Sequence, residues 1–117
     1  MSYRINLASD LRTRCSLWEM AKATEKDELG QYPVQPRKVA DLWCAVVPQT
    51  GSLLNGRPAE TQLSRTTHKV IIRYRQGVRE DMWLEIKGSR YDILYILDPY
   101  LRATTLELFC EVRGHGN

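Results

Sequence analysis

The most constraining feature of this chain is an apolar–polar alternation of period two that runs from residue 66 to residue 112 and is broken by Gly and Pro. In Thr66–Arg75 the residues His68, Val70, Ile72 and Tyr74 make the more apolar face. Lys69, Arg73 and Arg75 make a basic one, with Ile71 the exception. Side chains sorted in this way belong to a half-buried β-strand. Gln76-Gly77 ends the run, and Met82, Leu84 and Ile86 restart it as an inward set. Gly88-Ser89 then predicts a tight hairpin into Arg90–Leu97. Ile93 to Leu97 is apolar on both faces, which predicts a central or covered strand. Asp98-Pro99 closes it, because Pro has no N–H for the ladder. Leu106, Leu108, Cys110 and Val112 are the inward set of the last strand, and the tail is expected to fray.

The first half is less regular. Arg12–Trp18 is a candidate first strand. Ala21–Asp27 has helix-forming composition without an apolar stripe, and Gly30, Pro33 and Pro36 predict a loop after it. Val39–Val47 reads as a long strand ending at Pro48, with Leu42, Cys44 and Val46 inward. Residues 49–65 are a polar, Gly/Pro-bearing stretch with room for a short helix around Glu60–Leu63. Its length exceeds that of an ordinary loop, and loops this long are commonly functional or disordered. Together these elements predict an all-β fold, a small antiparallel β-barrel of about six strands with a long loop between strands 2 and 3. The chain of 117 residues is read as a single domain, with an irregular N-terminal segment 1–36, the long loop 49–65 and a frayed tail 113–117.

Several classes of function are disfavoured. No apolar run approaches the length of a membrane-spanning helix, and the opening residues lack the apolar core of a secretory signal. Cys15, Cys44 and Cys110 fit neither a disulfide framework nor a zinc pattern, so reduced thiols in a cytosolic setting are expected. Phosphate-cradling, metalloprotease and nucleophile-elbow motifs are missing. His68 lies on the inward side of its strand, where a hydrogen-bonded structural role outweighs ligation, and His115 lies in the tail. Asp92 and Asp98 lack any partner that would make them an acid–base pair. The chain is therefore read as a non-enzyme without cofactor or metal.

Charge is more informative in its distribution than in its total of +3. Residues 1–75 carry 12 Lys/Arg against 7 Asp/Glu, whereas residues 76–117 carry 5 against 7. A basic strand with Lys69, Arg73 and Arg75, and Arg65 just before it, suits three readings. It is a solvated outer face paired with Glu85 or Glu107, a contact between copies, or a track for phosphate. Single-strand binders place aromatics on the basic face, and here Tyr74 falls on the opposite one.

Read as strings, several segments match a known family. Leu42-Trp43-Cys44-Ala45-Val46-Val47-Pro48-Gln49-Thr50-Gly51 resembles its V-W-A-x-V-x-P-x-S-G segment. Thr67 to Val78 resembles T-H-x-I-x-I-R-Y-R-x-G-I, Gly88 to Ile93 resembles G-x-x-Y-D-I, and Leu106 to Glu111 resembles L-E-L-x-C-E. These segments occur in family order across nearly the whole chain, and the family is that of bacteriophage head–tail joining proteins, also called head-closure or stopper proteins. The segments depart from it at Val47, at Asn55–Pro58 and at Tyr100–Ala103.

The resemblance implies a structural protein of the virion neck, made in the bacterial host cytoplasm. Such a protein forms a ring below the portal and its adaptor, closes the DNA channel after packaging and offers the tail a platform. The implied partners are copies of itself, the portal or adaptor ring protein, tail proteins and the packaged double-stranded DNA that passes or is blocked, with no membrane. The isolated chain is expected to be a monomer. A gate is expected in the loop, at Gly51, Ser52, Leu53, Leu54, Asn55, Gly56 and Arg57. For the subunit or partner interface the expected residues are Trp43, Lys69, Arg73, Arg75, Trp83, Glu107, Phe109 and Glu111. The three aromatics would supply outward apolar area, and the basic strand would meet Glu107 and Glu111 of the next copy. The alternative is a small barrel that binds nucleic acid or serves as a protein-interaction module outside any virion.

Overall fold

The computed structural model describes residues 10–48 and 66–115. Among the described residues six strands succeed one another: β1 (Thr13–Lys22), β2 (Val34–Pro48), β3 (His68–Arg73), β4 (Trp83–Ile86), β5 (Ser89–Leu97) and β6 (Thr105–His115). A single 3-10 turn, Pro99–Leu101, lies between β5 and β6. Every pairing is antiparallel, and the sheet closes on itself in the order β1-β2-β3-β6-β5-β4. Residues 49–65, with the expected gate and the expected short helix, lie between β2 and β3 and outside the described residues.

Closure results from the alternation. Each strand sends its apolar set to one side, and in the closed sheet the six sets share one interior. Leu17, Cys44, Val70, Leu84, Leu108 and Cys110 are fully buried there, and Ile72, Ile93 and Ile86 are nearly so. The inward readings of Met82, Leu84 and Ile86 and of Leu106, Leu108 and Cys110 all hold. His68 is half-buried and packs edge-on against Tyr91, with ring centres 5.4 Å apart. All three cysteines are free thiols in the core. Burial pushes Cys110 up, and a hydrogen bond to Cys44, reinforced by burial, pushes Cys15 up.

Five local differences from the sequence reading have identifiable causes. The β4–β5 turn is Lys87-Gly88, one residue earlier than Gly88-Ser89, with Ile86 facing Ser89. Both turn residues have positive φ, 51° and 84°, which is the backbone twist that a two-residue hairpin needs. In β5 the register shifts between Ile93 and Tyr95, so Ile93 and Ile96 pack on the core while Tyr95 and Leu97 are left partly exposed. A bulge of this kind breaks strict alternation, and it explains why the run looked apolar on both faces. β6 continues to His115, which pairs with Ser89, so residues 113–115 are strand and not frayed tail. β2 starts at Val34, five residues before the expected Val39. Finally, β1 reaches Lys22, so Ala21–Asp27 is the end of a strand and a turn, with no helix.

The last two differences create the most distinctive feature of the fold. β1 meets β4 only over Ser16–Trp18, and β2 meets β3 only over Cys44–Pro48. Beyond those limits, among the described residues, Glu19–Lys22 and Val34–Arg37 pair only with each other. They form a two-stranded arm that leaves the barrel. At its tip the Asp27 carboxylate accepts hydrogen bonds from the backbone N–H groups of Leu29 and Gln31, both at 2.9 Å. The Lys26 ammonium lies 5.8 Å from the Tyr32 ring.

Candidate interaction surface

The arm is rooted by charge. Glu19 faces Arg37 across the ribbon, and its carboxylate is bonded by the guanidiniums of both Arg37 and Arg79, the latter at 3.0 Å. These two bonds hold the Glu19 carboxyl below the usual carboxylate range. Arg79 also reaches Asp81 at 3.1 Å, so the β3–β4 connection is tied to the arm base. An isolated two-stranded ribbon is marginal in water, and this clamp is what the barrel contributes to it. Because the folded-state pKa is lowered, the clamp is complete above the ordinary value of 4.5 and is lost as pH falls through the depressed one. Amide-exchange protection at Met20–Lys22 and Val34–Arg37 should therefore fall on acidification before the barrel unfolds. In Glu19→Gln it should be low at every pH.

The residues expected at an interface separate into three groups. Trp43, Arg73 and Arg75 come together. Trp43 is 50% exposed on β2, with the Arg14 guanidinium 4.6 Å from its ring, and Arg14 and Trp43 are direct cross-strand partners. Just beside them β3 ends at Arg73 and the chain turns away through Tyr74 and Arg75. An open cleft of about 300 Å³ forms where β2 outruns β3, lined by Trp43, Arg73, Tyr74 and Arg75 over a floor of Leu42 and Ile72, with Asp41 at its edge. Asp41 is itself engaged by Ser16 at 3.1 Å and Lys38 at 3.4 Å, which hold its carboxyl low. Neither Arg73 nor Arg75 has a carboxylate within ion-pair distance among the described residues.

Lys69 and Glu107 form the second group. The Lys69 ammonium sits 3.8 Å from the Glu107 carboxylate on the neighbouring strand of the same chain. Within one chain Lys69 thus has the partner that the solvated-face reading gave it. Glu111, opposite Asp92 on β6, is half-buried and also engaged.

Trp83 and Phe109 form the third group and correct the expectation of outward aromatic area. Both sit on the outer parity of their strands, yet Trp83 is 3% and Phe109 7% exposed. The Arg90 guanidinium covers the Trp83 ring at 4.1 Å, and Tyr95 packs on Phe109 with ring centres 5.8 Å apart. Arg90 is fixed in turn by Asp92 at 2.7 Å, and Asp92 also pairs with Arg113. Long side chains on a strongly curved outer surface can lie over their neighbours, so outward parity does not make a ring accessible.

The arm is the surface feature that the sequence reading missed. Met20, Leu29, Tyr32 and Val34 are all exposed on it, Leu29 at 84%. Its signals were the charged and apolar residues around Asp27–Tyr32 and the Pro at position 36, which suits a strand with an open edge.

Among the described residues no group of three or more His, Cys, Asp or Glu is placed to hold a metal ion. The distinctive features are surfaces, namely an arm, a cationic aromatic cleft and a barrel that carries both, and such a makeup defines an interaction barrel. The model of the phage head completion protein family matches residues 7–113, and the chain belongs to that family. Its role is structural, in the head–tail region of a phage-type particle. The solution structure of protein SF1141 from Shigella flexneri 2a superposes with a TM-score of 0.70 at 19% identity, over 90% of this chain and 95% of that one. A chain from the virion of a native gene transfer agent particle superposes with a TM-score of 0.57 at 16% identity, over 86% of this chain and 92% of that one. The comparison with curated proteins returned no match.

Proposed function

We propose that this single-domain barrel is the ring-forming neck component that closes the DNA channel of a filled head and receives the tail. The observation that carries the reading is the placement of the arm and of the attachment points of the long connection 49–65 at opposite ends of one strand. β2 runs from the arm at Val34 to Pro48, where it faces His68 and the long connection 49–65 begins. Thr67 anchors the far end of that connection, donating its N–H to the Cys110 carbonyl at 2.9 Å and accepting from Val112 N–H at 3.0 Å. A subunit built in this way can point its loop at a channel axis while its arm reaches sideways.

In a ring, Gly51, Ser52, Leu53, Leu54, Asn55, Gly56 and Arg57 of each copy converge and obstruct DNA by bulk. Their single charge, Arg57, makes an electrostatic clamp a poor description. The gene transfer agent neighbour supports placement in a virion, and the family supports the head as the immediate partner. The portal or adaptor ring lies on one side, the tail proteins on the other, and assembly takes place in the host cytoplasm around a chain that is monomeric when alone.

The test is depletion. Heads produced without this chain should package DNA, then leak it and fail to join tails, and adding back the purified protein should restore both. Heads that retain DNA and join tails normally without it would overturn the proposal.

A further inference from the structure

We propose that the tip of the β1–β2 arm of one copy, with Glu25, Glu28 and Leu29, seats in the Trp43–Arg73–Arg75 cleft of a second copy. The inference rests on the ring reading above and names the two surfaces that meet.

Charge complementarity selects the occupant. The cleft presents two arginines with no carboxylate partner among the described residues, beside an exposed indole. The arm tip presents Glu25 and Glu28, both exposed and with no ion pair among the described residues, next to Leu29 at 84% exposure. Carboxylates answer the guanidiniums, and leucine answers the exposed part of the Trp43 ring and the half-buried Leu42 beside it. Guanidinium–carboxylate pairs of this kind fix register, while the apolar contact supplies the burial. The tip is also held in one shape, by the Asp27 turn and by Ala23 N–H donating to the Pro33 carbonyl at 2.8 Å, so docking carries little ordering cost.

The chain cannot satisfy its own cleft. From Trp43 to Tyr32 the extended ribbon spans on the order of 30 Å at ~3.3 Å per residue. Arm and cleft are therefore different patches, and a head-to-tail contact between them repeats from copy to copy, closing into a ring where the rotation per copy allows it.

Cross-linking on filled heads tests the assignment. The double variant Leu29→Cys/Tyr74→Cys keeps Arg73, Arg75 and both glutamates, and the native thiols are buried. Mild oxidation should give a ladder of multimers on a non-reducing gel, while each single variant should not. Glu25→Arg/Glu28→Arg added to the pair should abolish the ladder, as should Arg73→Glu/Arg75→Glu. Combining both reversals in one chain should restore it. A chain bound to heads that stays monomeric on oxidation overturns the arm assignment and leaves the ring reading standing. A chain absent from heads overturns both. A cleft reversal that weakens duplex-DNA binding, with the arm reversal silent and no ladder formed, gives the cleft to nucleic acid and overturns the proposal.

Discussion

A chain lacking residues 52–62 should fold to the same barrel and yet leave filled heads unable to hold their DNA. The barrel survives because its register does not depend on the missing segment. Pro48 and His68 face each other at the end of an antiparallel pair, and hairpins of two to five residues can join such ends. The deletion shortens the connection from nineteen residues to eight. Loop-closure entropy then changes by only about 0.8 kcal/mol, in favour of the shorter chain. Far-ultraviolet circular dichroism and the thermal midpoint should be close to those of the parent. Genome retention should not: on the proposed gate, losing Leu53 and Leu54 removes the bulk that blocks the channel, and most particles should be empty after purification. Normal retention on particles that carry the deleted chain would show that the gate lies elsewhere, while the barrel, the arm and the family placement would be unaffected.

Leu108→Ala should produce the largest loss of stability of any single truncation on β6. Leu108 is fully buried and faces Val70 on β3 and Ile96 on β5, so it sits where three strands of the closed sheet meet. A closed barrel cannot collapse onto a void from one side, because each wall is hydrogen-bonded to two others. The expected cost is about 3 kcal/mol, the middle of the range for buried leucine truncations. That is a large share of the ~5–15 kcal/mol that holds a typical domain, and it should lower the thermal midpoint by roughly 10–15 °C. Urea unfolding should show a lower midpoint at an unchanged slope. Trp43→Ala, half exposed and outside the core, should stay within about 1 kcal/mol of the parent. If the two variants were equally destabilised, Trp43 would belong to the packing of the barrel and not to a docking surface.

The strands of the second half were legible because burial on one side writes itself into the chain at period two. Met82, Leu84 and Ile86 are an example, and so are Leu106, Leu108 and Cys110. Where that coupling fails, the sequence is silent. Beyond the buried Glu19 at its root the arm leaves both faces at least partly exposed, so it carries no apolar alternation and reads as helix-forming composition and loop. The β5 bulge adds one residue and turns a patterned strand into an apparently apolar one. Trp83 and Phe109 carry the parity of outward residues, and only the side chains that fold over them, Arg90 and Tyr95, remove them from solvent.

The interface residues show the same division. Nothing in the spacing of Lys69, Arg73 and Arg75 distinguishes the one that pairs with Glu107 from the two that line a cleft. That depends on which strand lies alongside and on where β3 stops short of β2. An all-β barrel, most of its inward residues, its family and a long connection after Pro48 can be read from the residues alone, because those rest on local chemistry and one-sided burial. The arm, the cleft and the pairing of individual charges emerge only when the strands are laid side by side, because these depend on the relative lengths of paired strands, a quantity that no single strand encodes.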